Sequence, residues 1–342
     1  MPLADILGQQ KATDYLKTLV KNGRVPGAFL FYGPAGVGKA KTALEFAKAL
    51  NCLDPQARTQ GEACGVCVSC KAISQHTHPD VVFADFLYQA RLEIKKDFES
   101  NSYEEELEKE LAKQQHIKID TIRNVTAKAQ QKSVGGGYKV LIIDAAQTME
   151  KGAANALLKF IEEPPQKTVW ILITSKRTAM LRTILSRCQP LAFTPLSQEN
   201  VKKILQDNQL ATENPSLCAQ YSAGSVSGAL KADGALSLLQ EAGLGPRGCS
   251  PQGPAAVVAG LPRTLVTARQ EAQAVLDVLL QALHTAWTNA KDDETQRRYA
   301  KTLQQFENYK RSLNRNVSPA LVLETALCSL DGLPIPLFET EN

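Results

Sequence analysis

Gly33-Pro-Ala-Gly-Val-Gly-Lys-Ala40 follows the apolar run Ala28-Phe-Leu-Phe-Tyr32. It precedes Lys41 to Leu50, where Ala43, Leu44, Ala47 and Leu50 recur at helical spacing. Strand, glycine-rich loop and helix are the context of a phosphate-binding loop, G-x-x-x-x-G-K-[ST]. In such a loop the backbone N–H groups cradle phosphates, the lysine reaches the β- and γ-phosphates, and the final hydroxyl holds Mg²⁺. Gly33, Gly36, Gly38 and Lys39 are the residues that would hold a phosphate, the glycines letting N–H groups converge without Cβ clashes. The final position is Ala40, a methyl group. Thr42 cannot substitute, because two positions along a helix is about 200° around it. Either a weak, non-catalytic nucleotide site or a loop retained for the sake of the fold is implied.

Three further apolar runs read as buried parallel strands: Val81-Val-Phe-Ala84, Val140-Leu-Ile-Ile143 and Val169-Trp-Ile-Leu-Ile-Thr174, with helical patterns between them. The expected class is therefore α/β with a parallel sheet. The second acidic motif of such domains closes a buried strand, its first acid orienting Mg²⁺ and its second polarising the attacking water. Asp144 stands in the first position and Ala145 in the second. The alternative reading of Asp144 is a carboxylate capping the next helix. Loss at both Ala40 and Ala145 predicts no ATP hydrolysis at this site, with ATP or ADP bound weakly or not at all.

Cys52, Cys64, Cys67 and Cys70 are spaced C-x11-C-x2-C-x2-C. Four thiolates close a tetrahedral Zn²⁺ shell with no open position, so one structural zinc is expected. The alternative is a set of free or redox-active thiols. His76 and His78 lie nearby and are not needed as ligands. Cys188, Cys218, Cys249 and Cys328 are isolated and read as packed or tolerated.

At 342 residues, two or three domains are expected. Lysine and arginine number 39 against 35 acidic residues, too even to demand nucleic acid or a membrane as partner. No apolar run approaches the roughly 20 residues that span a bilayer, and Met1-Pro-Leu-Ala-Asp5 does not open a signal segment, so a cytoplasmic location is expected. Residues 86–115 are charged, with Glu105 and Lys109, and Leu107 and Leu111, at i,i+4. They suggest an exposed helix with a narrow apolar stripe, either solvated or partner-binding. A helical segment follows from Glu199 to about Asp233, then a Gly/Pro-rich linker over residues 243–262. Beyond it Leu276, Leu279, Leu280, Leu283 and Trp287 share a helical face, followed by Tyr299, Leu303, Phe306 and Leu313, and then by Leu321 to Leu330. This predicts a helical bundle.

Ser186-Arg187-Cys188 follows a helical stretch, Thr178 to Leu185, after the last of the apolar runs. An arginine there could reach a neighbouring subunit's phosphates or simply form a surface salt bridge.

Taken together, Ile6-Leu-Gly-Gln-Gln10, Pro26-Gly-Ala-Phe-Leu-Phe-Tyr-Gly-Pro34, the four-cysteine module, His78-Pro-Asp80, Ala154-Asn-Ala-Leu-Leu-Lys-Phe-Ile-Glu-Glu-Pro-Pro165, Leu185-Ser-Arg-Cys-Gln189, Ser222-Ala-Gly-Ser225 and Leu313-Asn-Arg-Asn316 resemble the clamp-loader branch of the AAA+ ATPases of bacterial DNA polymerase III. The resemblance covers nearly the whole chain. It implies an AAA+ core over residues 1–193, with a zinc module at about 52–70 and a charged insertion at about 86–115. A three-helix lid over 194–235 and an all-α collar over 236–342 would follow. The ATPase gamma/tau members of that family carry Lys-Thr in the loop, an Asp-Glu pair and an arginine after Ala-Gly-Ser. This chain has Lys39-Ala40, Asp144-Ala145 and, in Gly224-Ser-Val-Ser-Gly228, no arginine, and no tau-like tail. The resemblance thus implies a non-hydrolysing member whose Arg187 acts in trans as an arginine finger, or alternatively a weak, gamma-like nucleotide-binding subunit. Implied partners are the gamma/tau and delta subunits in a hetero-oligomeric ring and, through it, the sliding clamp and primer-template DNA.

Overall fold

Strands covered on both faces must be apolar at every position, which is why the runs above show no alternation. In a computed structural model, β1 (Ala28–Tyr32), β2 (Val81–Ala84), β3 (Lys139–Ile143), β4 (Thr168–Thr174) and β5 (Gln189–Ala192) form one sheet in the order β2-β3-β4-β1-β5. Every pairing is parallel, with Ala28 opposite Trp170, Val140 opposite Val169 and Val81 opposite Val140. The structure describes residues 2–94, 100–210, 212, 214–241, 269–313, 315, 317–330, 333 and 337. The stretch 243–262 and Cys249 lie outside them.

Alternate residues of each strand feed two separate cores. Phe29, Phe31, Val140, Ile142, Val169, Ile171 and Ile173 face α1 (Gln10–Asn22), α2 (Lys39–Asn51) and the cysteine module, whose Ala63, Cys70 and Ile73 join that core. Leu30, Leu141, Ile143, Trp170 and Leu172 face the helices Ile119–Gln130 and Lys151–Glu162 and the short turn Arg182–Leu185. Phe29 packs edge-on against both Phe31 and Phe46, with centroids 6.1 and 5.7 Å away. Each such ring contributes roughly 2–3 kcal/mol by leaving water.

The fifth strand is not legible as an apolar run. Gln189-Pro-Leu-Ala192 buries only Leu191, and an edge strand tolerates Pro190, which has no N–H to donate. Its position matters to the glycine loop. A Cβ on Gly33 would lie 2.2 Å from the carbonyl oxygen of Phe193, just past β5, so glycine is demanded there by packing, whatever the loop binds. The Thr178 to Leu185 stretch is also less regular than its pattern suggests: a single turn at Arg177–Ala179 is separated from Arg182–Leu185 by extended residues.

Among the described residues of the charged segment are the helices Phe86–Glu93 and Ser100–Lys113. The ion pair on the second is Glu110–Lys113, at 2.9 Å, and not Glu105–Lys109. Leu111 of the expected stripe is exposed. A buried amide knot fastens the insertion to the core. Gln89 donates to Gln114 and to the His116 carbonyl (2.9 Å), and accepts from the Lys118 N–H (2.8 Å) and the Thr121 hydroxyl (2.6 Å). Full satisfaction of a buried amide makes that junction specific.

The chain divides into two units, Met1–Leu196 and Ser197–Asn342. The second is helical among its described residues. Gln198–Asp207, Pro215–Gln220 and Val226–Glu241 precede Arg269–Asn289, Asp293–Leu313 and Pro319–Cys328. Leu276, Leu279, Leu283, Tyr299, Phe306, Leu313, Leu323 and Leu327 are buried, as the periodicity predicts. Leu280 and Leu303 are only half-buried, and Trp287 and Leu321 are 37% and 56% exposed. Ala282 and Ala286 take the buried face where Trp287 was expected.

Candidate functional site

In a parallel sheet all carboxyl ends lie at one edge, so the loop after β1 and the aspartate after β3 share it. Gly36 and Gly38 adopt left-handed backbone, φ 73° and 96°, and Gly38 caps the start of α2. The Lys39 side chain folds back over this loop, its ammonium donating to the carbonyls of Gly33 (2.8 Å) and Pro34. Burial lowers the Lys39 pKa, and the charge of Asp144 opposes that shift. Ala40 packs beside the first core, and the Thr42 hydroxyl donates backwards to the Gly38 carbonyl (2.8 Å). The Thr42 hydroxyl is therefore spent inside the helix.

Burial raises the Asp144 pKa, while the Ala145 N–H, donating to its carboxylate at 2.7 Å, and the Lys39 charge lower it. Ala145 itself sits in left-handed backbone, φ 50°. Buried Lys39 and half-buried Asp144 thus feel each other's charge at the carboxyl edge without an ion pair between them. The loop's last position and the position after Asp144 are both alanine where metal-assisted phosphoryl transfer uses a hydroxyl and a second acid.

Sequence reasoning assigned no role to Gln9, a buried amide. Its Nε2 donates to the Val37 carbonyl (3.3 Å) and the Thr194 carbonyl (2.7 Å), and its Oε1 accepts from the Thr194 N–H (3.2 Å). The loop is thereby tied to the exit of β5 by the protein alone. Gln9 stands in the Ile6-Leu-Gly-Gln-Gln10 stretch of the resemblance, but no spacing or periodicity there points to a tie with Val37 and Thr194.

Arg187 lies at the end of the Arg182–Leu185 turn with its side chain 38% exposed. Its Nε meets Glu162 Oε1 at 2.6 Å, and its Nη1 donates to the Thr183 carbonyl (3.0 Å) and the Ser186 hydroxyl (3.2 Å). The adjacent Cys188 is buried, its thiol pushed up to about 12 by desolvation, and packs with Ile184 in the second core. Cysteine anchors the turn, and arginine is left at the surface.

The four sulfurs of Cys52, Cys64, Cys67 and Cys70 lie within 4.8 Å of one another. Zn–S bonds of about 2.3 Å imply sulfur separations near 3.8 Å in a tetrahedron, so small side-chain shifts suffice to close the shell. The backbone already stabilises thiolate: Cys64, Cys67 and Cys70 N–H groups point at the sulfurs of Cys52, Cys64 and Cys67, at 3.3, 3.4 and 3.4 Å. Burial opposes ionisation of Cys67, yet the N–H groups of Leu53 and Cys70 bring its pKa down to about 7. Burial and the proton shared with Cys67 push Cys70 well up. Such a crowd of sulfur is compatible with one Zn²⁺, whose charge would offset their mutual repulsion.

The two histidines have other partners. His78 Nε2 lies 3.2 Å from the Ser69 hydroxyl, and its Nδ1 accepts from the Asp80 N–H (3.1 Å). His76 packs against Phe83, with centroids 5.4 Å apart. Cys218 donates to Asp233, and Cys328 is exposed.

Asp80 is buried and accepts from Ser133 Oγ (2.9 Å) and the N–H groups of Val134 and Gly135 (3.1 Å each), pinning the loop that enters β3. Burial opposes its ionisation, but these donors win and hold the carboxyl below its usual range. A depressed carboxyl adds stability above its unfolded pKa of about 3.9, lost as pH falls through the folded value. Asp80→Ala should therefore cost about 2–3 kcal/mol at pH 7, and the gap to wild type should narrow as pH falls below about 4 and through the depressed folded value. Urea denaturation followed by the buried Trp170, in a Trp287→Phe background, reads this. An equal gap at pH 3 and pH 7 would contradict it.

A family model described as "DNA polymerase III, delta subunit" matches residues 8–197. DNA polymerase III subunit delta' of Pseudomonas aeruginosa is 35% identical over 184 residues, covering 53% of this chain and 48% of that protein. DNA polymerase III subunit tau of Bacillus subtilis is 33% identical over 242 residues, covering 70% and 37%. The delta' subunit of Bacillus subtilis is 32% identical over 211 residues, covering 62% and 55%. The chain spans between about a third and just over half the length of these curated relatives. A DNA polymerase III gamma subunit-related protein of Thermotoga maritima superposes with a TM-score of 0.52 at 15% identity, over 91% of this chain and 97% of that one, a likeness of fold.

Proposed function

The chain belongs to the clamp-loader family of DNA polymerase III subunits, and from that premise we propose that it is a delta-prime-like, non-hydrolysing member of the loader. In this reading it joins gamma/tau and delta subunits in a ring and supplies Arg187 to the nucleotide of an adjacent ATPase subunit. The assembled ring then opens and loads the sliding clamp on primer-template DNA. Residues 1–193 would be the AAA+ core, 194–235 the lid and 236–342 the collar that holds the ring together. The cysteine module would carry one structural zinc.

The observation that carries the reading is the state of the loop. Lys39 closes on the loop's own carbonyls, a methyl stands at Ala40, and the Thr42 hydroxyl is committed to the helix. The position from which a P-loop hydroxyl holds Mg²⁺ is here a methyl group. Purified chain should give ATP turnover indistinguishable from a blank, and should copurify with its cognate loader subunits. Mg²⁺-dependent hydrolysis by the isolated chain, abolished by Lys39→Ala, would overturn the non-hydrolysing reading in favour of a gamma-like one.

A second reading, nucleotide held without turnover, is favoured by the retention of Lys39 after the loop glycines and of Asp144 at the end of β3. Equilibrium binding of ATP with and without Mg²⁺ separates the two. No binding at millimolar nucleotide excludes it.

A further inference from the structure

We propose that Glu162 is a positioning residue for Arg187, setting the guanidinium before any neighbour arrives so that its Nη2 edge is the one presented outward. The inference rests on the reading of Arg187 as an arginine finger.

An arginine has five N–H donors in a rigid planar fork. Among the described residues, Arg187 uses three of them within its own chain: Nε–H toward Glu162 Oε1 at 2.6 Å, and both Nη1 protons toward the Thr183 carbonyl and the Ser186 hydroxyl. Both Nη2 protons remain for an incoming acceptor. Two of the three partners belong to the turn that carries Arg187. Glu162 does not, since it is the last residue of the separate helix Lys151–Glu162, which Pro164 and Pro165 terminate. The plane of the guanidinium is therefore referenced to two elements of the second core at once, each anchored by buried residues, Ile161 on one and Ile184 with Cys188 on the other.

The helix end suits the task. Unpaired carbonyls make a helix C-terminus weakly negative, favouring a cation beside Glu162. A free arginine side chain carries about 2 kcal/mol of rotamer entropy, which fixing in advance removes from the cost of meeting a phosphate. As a stability element the pair should count for little, because the Glu162 and Arg187 side chains are 45% and 38% exposed. A role confined to stability would leave turnover unchanged.

The test uses the loader reconstituted with its cognate subunits, its clamp and primed DNA. Glu162→Ala should lower kcat for ATP by about 10- to 100-fold, with KM, assembly and melting temperature unchanged. Glu162→Gln, which keeps an Oε1 acceptor for Nε–H, should recover most of the loss. In an Arg187→Ala background, Glu162→Ala should have no further effect, because the two act as one unit. If Arg187→Ala collapses turnover and Glu162→Ala leaves it within twofold of wild type, the positioning role is wrong and the arginine finger stands. The positioning role is equally wrong if the two losses multiply independently. If Arg187→Ala itself leaves turnover unchanged, the arginine-finger reading fails, and the positioning role with it.

Discussion

Arg187→Ala is expected to lower ATP turnover by the assembled loader by about 10³-fold or more, the range that a guanidinium on transferring phosphate contributes in trans. Loss of the side chain should leave the subunit intact. Its partners are one exposed glutamate, one hydroxyl and one carbonyl, and a surface ion pair of this kind is worth about 0–1 kcal/mol. Activity and stability therefore separate cleanly: melting and copurification should match wild type while turnover falls. Arg187→Lys should recover little, because an ammonium keeps the charge and cannot present two planar donors while a third is held by Glu162. Turnover within twofold of wild type in the alanine loader would remove the trans role, and with it the reason to read the damaged loop as a division of labour.

Purified chain is expected to hold about one zinc, and stripping it should release the module from Cys52 to Ser74. Removal of a ligand present at a thousand times its dissociation constant costs about 4 kcal/mol. The module is built around the cluster: Cys52 ends α2, Cys67 caps the helix Val68–Ser74, and Cys70 is buried in the first core with Ile73. Amide exchange should quicken across residues 52–74 and stay slow in β3 and β4, whose strands are buried at every position. Because binding requires thiolates, a chelator should strip zinc faster at pH 6 than at pH 8. Protein prepared without chelator and found free of metal would refute the assignment.

How much of this was legible beforehand follows from the physics of each element. β1, β3 and β4 are buried on both faces, so their apolar runs identified them within a residue or so. β5 is an edge strand with one buried side chain, and one residue makes no pattern. Periodicity placed most of the second unit's core correctly. It misplaced Trp287, because a hydrophobic residue on the right face of a helix is buried only where a neighbouring element reaches it. The four cysteines were identified by spacing alone, since metal-ligand geometry constrains sequence separation directly.

The site divides along the same line. Sequence by itself determined the chemical inventory: a loop with lysine and no hydroxyl, an acidic pair reduced to one acid, four clustered thiols and an arginine after the last apolar run. These are properties of side-chain identity and need no coordinates. Only the tertiary structure decided how those groups are held. It turned Lys39 onto its own loop, sent the Thr42 hydroxyl into the helix, made Gly33 a packing requirement of Phe193, and brought Glu162 to Arg187 from 25 positions away in the chain. Such contacts join residues whose sequence separation is arbitrary, and they exist only once the sheet and its two cores have set the distances between them.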